Sequence, residues 1–340
     1  MRRYAMLAAC MALMMAVPAA AEQVSEGSGE VYTVGIVQFM DHASLNQIAD
    51  AMIEELEAAS AEAGITVEYD LYNGQGDGST LNQIGAQLVS DQVDVIVAIA
   101  TPAAQIMQAA DEDAQIPVIF SAVTDPVGAG LVESMEEPGG FVTGTSDALN
   151  TETMMNLILA NNPDTKKVGL LYSNSEDSSK QPIEEAKAFL DEAGIEYAEK
   201  TGTTTDEISQ AVDALIADGV DAIFTPTDNT VMSAELSIYE KLIEAGIPHY
   251  CGADSFALNG AFLGFGVNYV DLGAKTADMV IEVLQGADVA ATAVETFDNG
   301  IATINTQTAE AIGIDIDTVS EAFAPYCSEI VLTETAEEFE

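Results

Sequence analysis

The sequence predicts an α/β protein of two similar lobes, each built around a parallel sheet. Three observations carry that prediction. First, Val93-Asp94-Val95-Ile96-Val97-Ala98-Ile99-Ala100-Thr101 returns without a gap as Val220-Asp221-Ala222-Ile223-Phe224-Thr225-Pro226-Thr227-Asp228, placing Thr101 opposite Asp228. Second, the flanks repeat, since Ala63-Gly64-Ile65 recurs as Ala193-Gly194-Ile195 and Ile116-Pro117 as Ile247-Pro248. Third, apolar runs of strand length alternate with amphipathic stretches of helix length, which is the pattern of βαβ units. Two such lobes enclose a cleft, and ligands of open α/β sheets bind outside the carboxyl ends of the strands.

Taken in order, residues 22–30 read as a short leader rich in Glu, Ser and Gly. Residues 31–39 form a near-continuous apolar run, a buried strand. Leu45, Ile48, Met52, Leu56 and Ala59 follow at helical spacing, with Gly64 as the stop. Strands are then expected at 65–71, 93–100 and 118–122, with helices at 79–90 and 102–111. The pattern restarts at Lys167, with strands at 167–173, 195–200, 220–226 and 247–251 and helices at 176–193, 205–217 and 228–245. A short strand at 262–266, a helix at 271–285 and a strand pair at 293–297 and 301–304 complete the ordered part. The acidic residues 329–340 are expected to fray.

The first 21 residues have the form of a cleavable signal peptide: Arg2 and Arg3, an apolar stretch from Ala5 to Val17, and small residues before Glu22. This reading is preferred to a lipid anchor at Cys10, which has too little apolar sequence before it. An extracytoplasmic location follows. Cys251 and Cys327 remain after removal of the leader, and the sequence leaves open whether they are bridged or whether Cys251 is buried and Cys327 free.

The formal net charge is −48 over 340 residues, and no Lys or Arg occurs between Arg3 and Lys166. This excludes a basic surface for nucleic acid and argues against attraction to anionic lipid. It also leaves an anionic ligand without a guanidinium from the first lobe. A zwitterion, a cation or a neutral molecule fits better.

Ala100-Thr101-Pro102 has the form of a strand end, a hydroxyl N-cap and a Pro at the first helical position, so a helix start faces the cleft and can hold a carboxylate. In the second lobe Asp228 either caps its helix or offers a carboxylate to an ammonium group, with Asn229 beside it. Asp125 and Asp254 occupy corresponding strand ends, either as ligand contacts or as Asx-turns. The glycines at 74, 76 and 78 match neither the phosphate-loop nor the dinucleotide pattern. His42 and His249 are the sole histidines, and no metal cluster or nucleophile elbow occurs at motif spacing, so neither an enzyme nor a cofactor is expected.

Together these residues resemble the extracytoplasmic solute-binding proteins of ABC importers, in the tryptophan/tyrosine-type subfamily. The resemblance is carried by Val34-Gly35-Ile36-Val37-Gln38, by 76–81, by 98–104, by 120–132 with its Val123-Thr124-Asp125-Pro126 core, and by Pro226-Thr227-Asp228-Asn229, Gly252-Ala253-Asp254-Ser255 and Gly266-Val267-Asn268-Tyr269. It implies a type I periplasmic-binding fold of two Rossmann-like lobes joined by three hinge crossings, near Ser146-Asp147, Gly266-Asn268 and Val289-Ala293. Lobe 1 would take residues 31–146 plus 268–290, and lobe 2 residues 147–267 plus 291–328, before the acidic tail. It further implies Gln38, Phe39, Thr101, Thr124, Asp125, Asp228, Asn229 and Asp254 as ligand contacts, with Tyr172, Ser173 and Asn174 as secondary candidates. Phe39, Phe256 and Tyr269 are equally suited to core or ligand platform. The implied partners are a small solute, by family preference an amino acid, and an ABC permease with its ATPase; a monomer is expected. The competing reading is a solute sensor for a membrane kinase or chemoreceptor.

Overall fold

The computed structural model describes residues 30–297 and 300–336. The expected signal peptide, Cys10 and the last four residues of the acidic tail lie outside the described residues. The first lobe begins with β1 (Val31–Gln38), α1 (Ala43–Ala63), β2 (Thr66–Asn73), α2 (Gly78–Asp91), β3 (Val95–Ile99), α3 (Thr101–Ala110), β4 (Val118–Ser121) and β5 (Val142–Ser146). The second follows with α4 (Thr151–Asn161), β6 (Lys167–Tyr172), α5 (Lys180–Ala193), β7 (Glu196–Thr201), α6 (Thr205–Asp218), β8 (Ala222–Thr225), α7 (Asn229–Met232), α8 (Glu235–Ala245), β9 (His249–Cys251), α9 (Asp254–Leu258) and β10 (Leu263–Gly266). The chain then returns through α10 (Tyr269–Leu284) and β11 (Glu295–Thr296) and finishes with β12 (Ile301–Asn305), α11 (Thr306–Ala311), α12 (Ile316–Phe323) and β13 (Glu329–Thr333).

The two sheets share the order of their first five strands and differ at the far edge, where the second has one strand more. The first runs β11-β5-β4-β3-β1-β2 and the second β13-β12-β10-β9-β8-β6-β7. Within β1 to β5 and β6 to β10 all neighbours are parallel. The repeated segments thus become β3 and β8, the third strands of two doubly wound lobes. The Ala-Gly-Ile repeat is a helix stop used twice. Gly64 and Gly194 sit at φ 70° and 69°, and the following Ile65 and Ile195 donate their N–H back to Ser60 and Leu190 at 3.1 and 2.9 Å. Only glycine takes that left-handed turn without steric penalty. The stripe of Leu45, Ile48, Met52 and Leu56 on α1 is buried, and so are the apolar residues of β3.

Several elements depart from expectation. The helix expected over 228–245 is broken into α7 and α8 at Ser233 and Ala234, where the Ser233 hydroxyl donates to the Thr230 carbonyl and the Ser237 hydroxyl to the Ala234 carbonyl. β11 and β12 do not pair with each other: β11 pairs with β5 and β12 with β10. The third crossing therefore lies beyond Val289–Ala293. Phe297 still donates to Ser146 of the first lobe, whereas Gly300 already donates to Gly266 of the second. Residues 329–333 do not fray but form an edge strand parallel to β12. Cys251 and Cys327 are free thiols, the first buried. Among the described residues no helix is long and apolar enough to cross a membrane.

Candidate functional site

The carboxyl ends of the two sheets face each other across a small cavity. The first lobe supplies His42, Ser44 and Leu45 from the turn into α1, Ala100 and Thr101 after β3, and Ala122 and Thr124 after β4. The second supplies Ser178, Thr227, Asn229 and Ala253, and the crossings supply Asp147 and Tyr269. No Lys or Arg is among the lining residues. The space left between them is about 20 Å³, room for roughly one water.

The turns into the cavity are strained. Ala100 (φ 79°, ψ 152°) and Ala122 (φ 55°) occupy backbone regions that side chains disfavour, at about 1–3 kcal/mol each. The first bend makes Ala100, not Thr101, the N-cap of α3. The cap expected at Thr101 is thus corrected: it is the first helical residue, 2% exposed, and its hydroxyl has no partner among the described residues.

Asp147 is the dominant charge. It is buried, and Thr124 Oγ1 donates to it at 3.1 Å. Burial pushes its carboxyl up to about 6, against the pull of that hydrogen bond. Asp254 lies just behind the lining, where it accepts from Ser44 Oγ at 2.7 Å, and burial likewise pushes it up to about 6. Burial, then the charges of Asp147 and Asp254, raise the Tyr269 hydroxyl well above its ordinary value, so it stays protonated and able to donate.

Of the predicted contacts, Thr101, Thr124 and Asn229 line the cavity. The other five do not. Phe39 is core. Gln38 lines a separate surface groove and donates to Met40 O and Asn46 Oδ1, both at 2.7 Å. Asp125 accepts from Gly128 N at 2.8 Å in an Asx-type turn. Asp228 takes the capping role, since Val231 N, Ser173 N and Ser179 Oγ occupy both its oxygens. Among the secondary candidates, Tyr172 is tied to Glu199. Sequence reasoning missed Asp147, Ser44 and Ser178, and weighed His42 only for catalysis or metal binding, which it found unsupported.

Next to Asp228, Glu176 is buried and accepts from Asn229 N and Nδ2 and from Thr230 N and Oγ1. Burial and then the adjacent Asp228 push it up to about 7. A second polar trio has the outline of a catalytic triad: His249 lies 2.8 Å from Thr225 Oγ1 and 3.1 Å from Glu235 Oε2. All three residues are at most 2% exposed and none lines the cleft cavity, so the trio serves the core of the second lobe.

Among the described residues, hydrogen bonds that join the lobes include Ser44 to Asp254, His42 to Asn229 at 3.2 Å, and Gln105 Nε2 to Asp177 Oδ2 at 2.9 Å. This is a closed cleft. Gln105 and Asp177 lie away from the cavity lining, and each is oriented within its own lobe, Gln105 by the Ala129 carbonyl and Asp177 by Lys180. Gln105→Ala should therefore weaken every solute by the same factor, roughly 3- to 10-fold, leaving ratios between solutes unchanged. Titration with two or more solutes checks this, and a solute-dependent loss would refute it.

A family model for ABC transporter substrate binding proteins matches residues 33–325. The chain is 36% identical over 279 residues to a tyrosine-binding protein of Clostridioides difficile, covering 82% of this chain and 80% of that one. A solved structure of an ABC domain in complex with L-Trp from Streptococcus pneumonia shares 35% identity with a TM-score of 0.81, covering 89% of this chain and 100% of that chain. The ligand-free, open structure of a substrate binding protein with adhesive properties from Clostridium difficile shares 31% with a TM-score of 0.67, covering 90% and 100%.

Proposed function

The chain belongs to the family of ABC transporter substrate-binding proteins, and from that premise we propose that it captures an aromatic amino acid between its lobes outside the membrane. An ABC permease with its ATPase then receives the closed, loaded form. The observation that carries the amino-acid reading is Asp147: a buried carboxylate on the cavity wall, with no cation among the lining residues. A solute ammonium supplies the missing charge. The solute carboxylate is matched by the start of α3, the partnerless Thr101 hydroxyl and the Tyr269 hydroxyl. The aromatic class is supported by the tyrosine and L-Trp of the two relatives. A cavity of about 20 Å³ admits no amino acid as it stands, so the lobes separate for entry and reclose around the solute.

The chain contains no Trp, so the fluorescence of added L-tryptophan reports its own binding without background from protein indole. Saturable binding of L-tryptophan or L-tyrosine is expected; silence toward L-tryptophan, L-tyrosine and L-phenylalanine would overturn the reading. Because burial holds Asp147 near 6 in the solute-free cleft, ammonium binding to the ionised form must displace a proton in acid. Affinity should be flat above about pH 7 and fall by up to about tenfold per pH unit below about 6. Equal affinity at pH 5 and 7.5 would remove Asp147 as the ammonium partner.

A further inference from the structure

The hydrogen-bond chain from Glu176 through Asn229 to His42 fixes which nitrogen of the imidazole carries the proton. Glu176 receives donors on both oxygens, one of them the Asn229 side-chain Nδ2 at 2.7 Å. The amide is thereby oriented with its nitrogen on Glu176 and its Oδ1 on His42 Nε2, 3.2 Å away. An amide oxygen only accepts, so Nε2 bears the hydrogen and Nδ1 bears a free lone pair. Burial holds His42 well below its ordinary value, to about 4, so the ring is neutral at physiological pH. Nδ1 is buried and has no partner among the described residues, on a ring that lines the cavity. An uncompensated buried acceptor is costly unless a bound molecule supplies a donor.

The ammonium is not that donor. A full positive charge is drawn to the Asp147 carboxylate, whereas a neutral imidazole in the same low-polarity space matches a neutral N–H or O–H. Resting on the amino-acid reading above, we propose that His42 Nδ1 accepts a hydrogen bond from the donor carried on the solute's aromatic ring. The cleft then selects indole and phenol side chains over plain phenyl ones. Selection of this kind is strong because a ligand lacking the donor leaves the buried acceptor unpaired.

The test pairs ligands of equal shape that differ in the donor. L-tryptophan is compared with its benzothiophene analogue, in which sulfur replaces the ring N–H, and L-tyrosine with L-phenylalanine, each by calorimetric titration. The wild-type protein should prefer the donor-bearing member of each pair by at least roughly tenfold. In His42→Leu that preference should shrink to within about 3-fold, whatever the general loss from breaking the contact to Asn229. In His42→Asn, whose amide oxygen can occupy the place of Nδ1, overall affinity should fall while the preference survives. Equal binding of both members by the wild type, or an undiminished preference in His42→Leu, would overturn the inference and leave the amino-acid reading standing. Failure of the wild type to bind L-tryptophan and L-tyrosine at all would overturn both.

Discussion

Asp147→Asn should weaken aromatic amino-acid binding by roughly 10²- to 10³-fold, because removing one partner strands the other charge in a buried site. The same substitution should stabilise the solute-free protein. The wild-type carboxyl is moved from 3.8 to about 6 by burial, a penalty of about 3 kcal/mol at neutral pH. The sign follows from proton counting: between about pH 4 and 6 the native state binds more protons than the unfolded chain, so this group's contribution to stability falls as pH rises through that window. Asn can still accept the Thr124 hydroxyl and carries no charge. The variant should melt roughly 5 °C above wild type at pH 7.5, with the difference vanishing near pH 4. Calorimetric titration and thermal unfolding on the same samples measure both effects. A variant that binds normally, or that melts lower at pH 7.5, would contradict the assignment of Asp147 as a charge stored for the solute.

The second large effect is expected at Gly144. In the parallel pairing of β4 with β5 it lies opposite Phe120, at φ 156°, and a Cβ there would stand 2.0 Å from the Phe120 carbonyl oxygen and 2.7 Å from its carbon. A backbone atom in the middle of a sheet cannot move aside, so Gly144→Ala should cost at least about 4 kcal/mol. The damage reaches the cleft, because β5 ends at Ser146 and the next residue is Asp147. The variant should be insoluble or melt roughly 8 °C or more below wild type, with solute binding lost in proportion. A melting temperature within about 2 °C of wild type would show that β5 is not held in this register.

The two-lobe plan was legible because buried parallel strands leave apolar runs and glycine stops leave a repeated Ala-Gly-Ile. β5 was not legible for a physical reason. Its sequence Val-Thr-Gly-Thr-Ser is fully buried yet mostly polar, and its hydroxyls are satisfied in the core: Thr145 lies 2.8 Å from Thr276 Oγ1, which lies 2.9 Å from Ser121 Oγ, and Thr143 donates to the Thr292 carbonyl at 2.7 Å. With that strand unrecognised, Asp147 read as a hinge residue and not as part of the cavity wall. Asp228 misled in the opposite direction, since a carboxylate at a strand end looks available until its three donors from the same lobe are seen. At Ala100 nothing in an alanine announces a positive φ, so the helix start slipped by one residue and Thr101 lost its expected partner. The fates of β11 and β13 depend on long-range pairings that local pattern does not encode.

The bonds described across the cleft run one way. Ser44, Gln105 and His42 of the first lobe donate, and Asp254, Asp177 and Asn229 of the second accept; none of these donors is a lysine or arginine. Among the described residues, two acidic bodies thus clasp each other without an ion pair. Dissolved salt, which shortens the reach of charge from about 8 Å at physiological strength to about 3 Å at 1 M, should quiet the mutual repulsion of the lobes while finding no ion pair between them to screen. Brine that would loosen a grip made of opposite charges is therefore expected to favour this one.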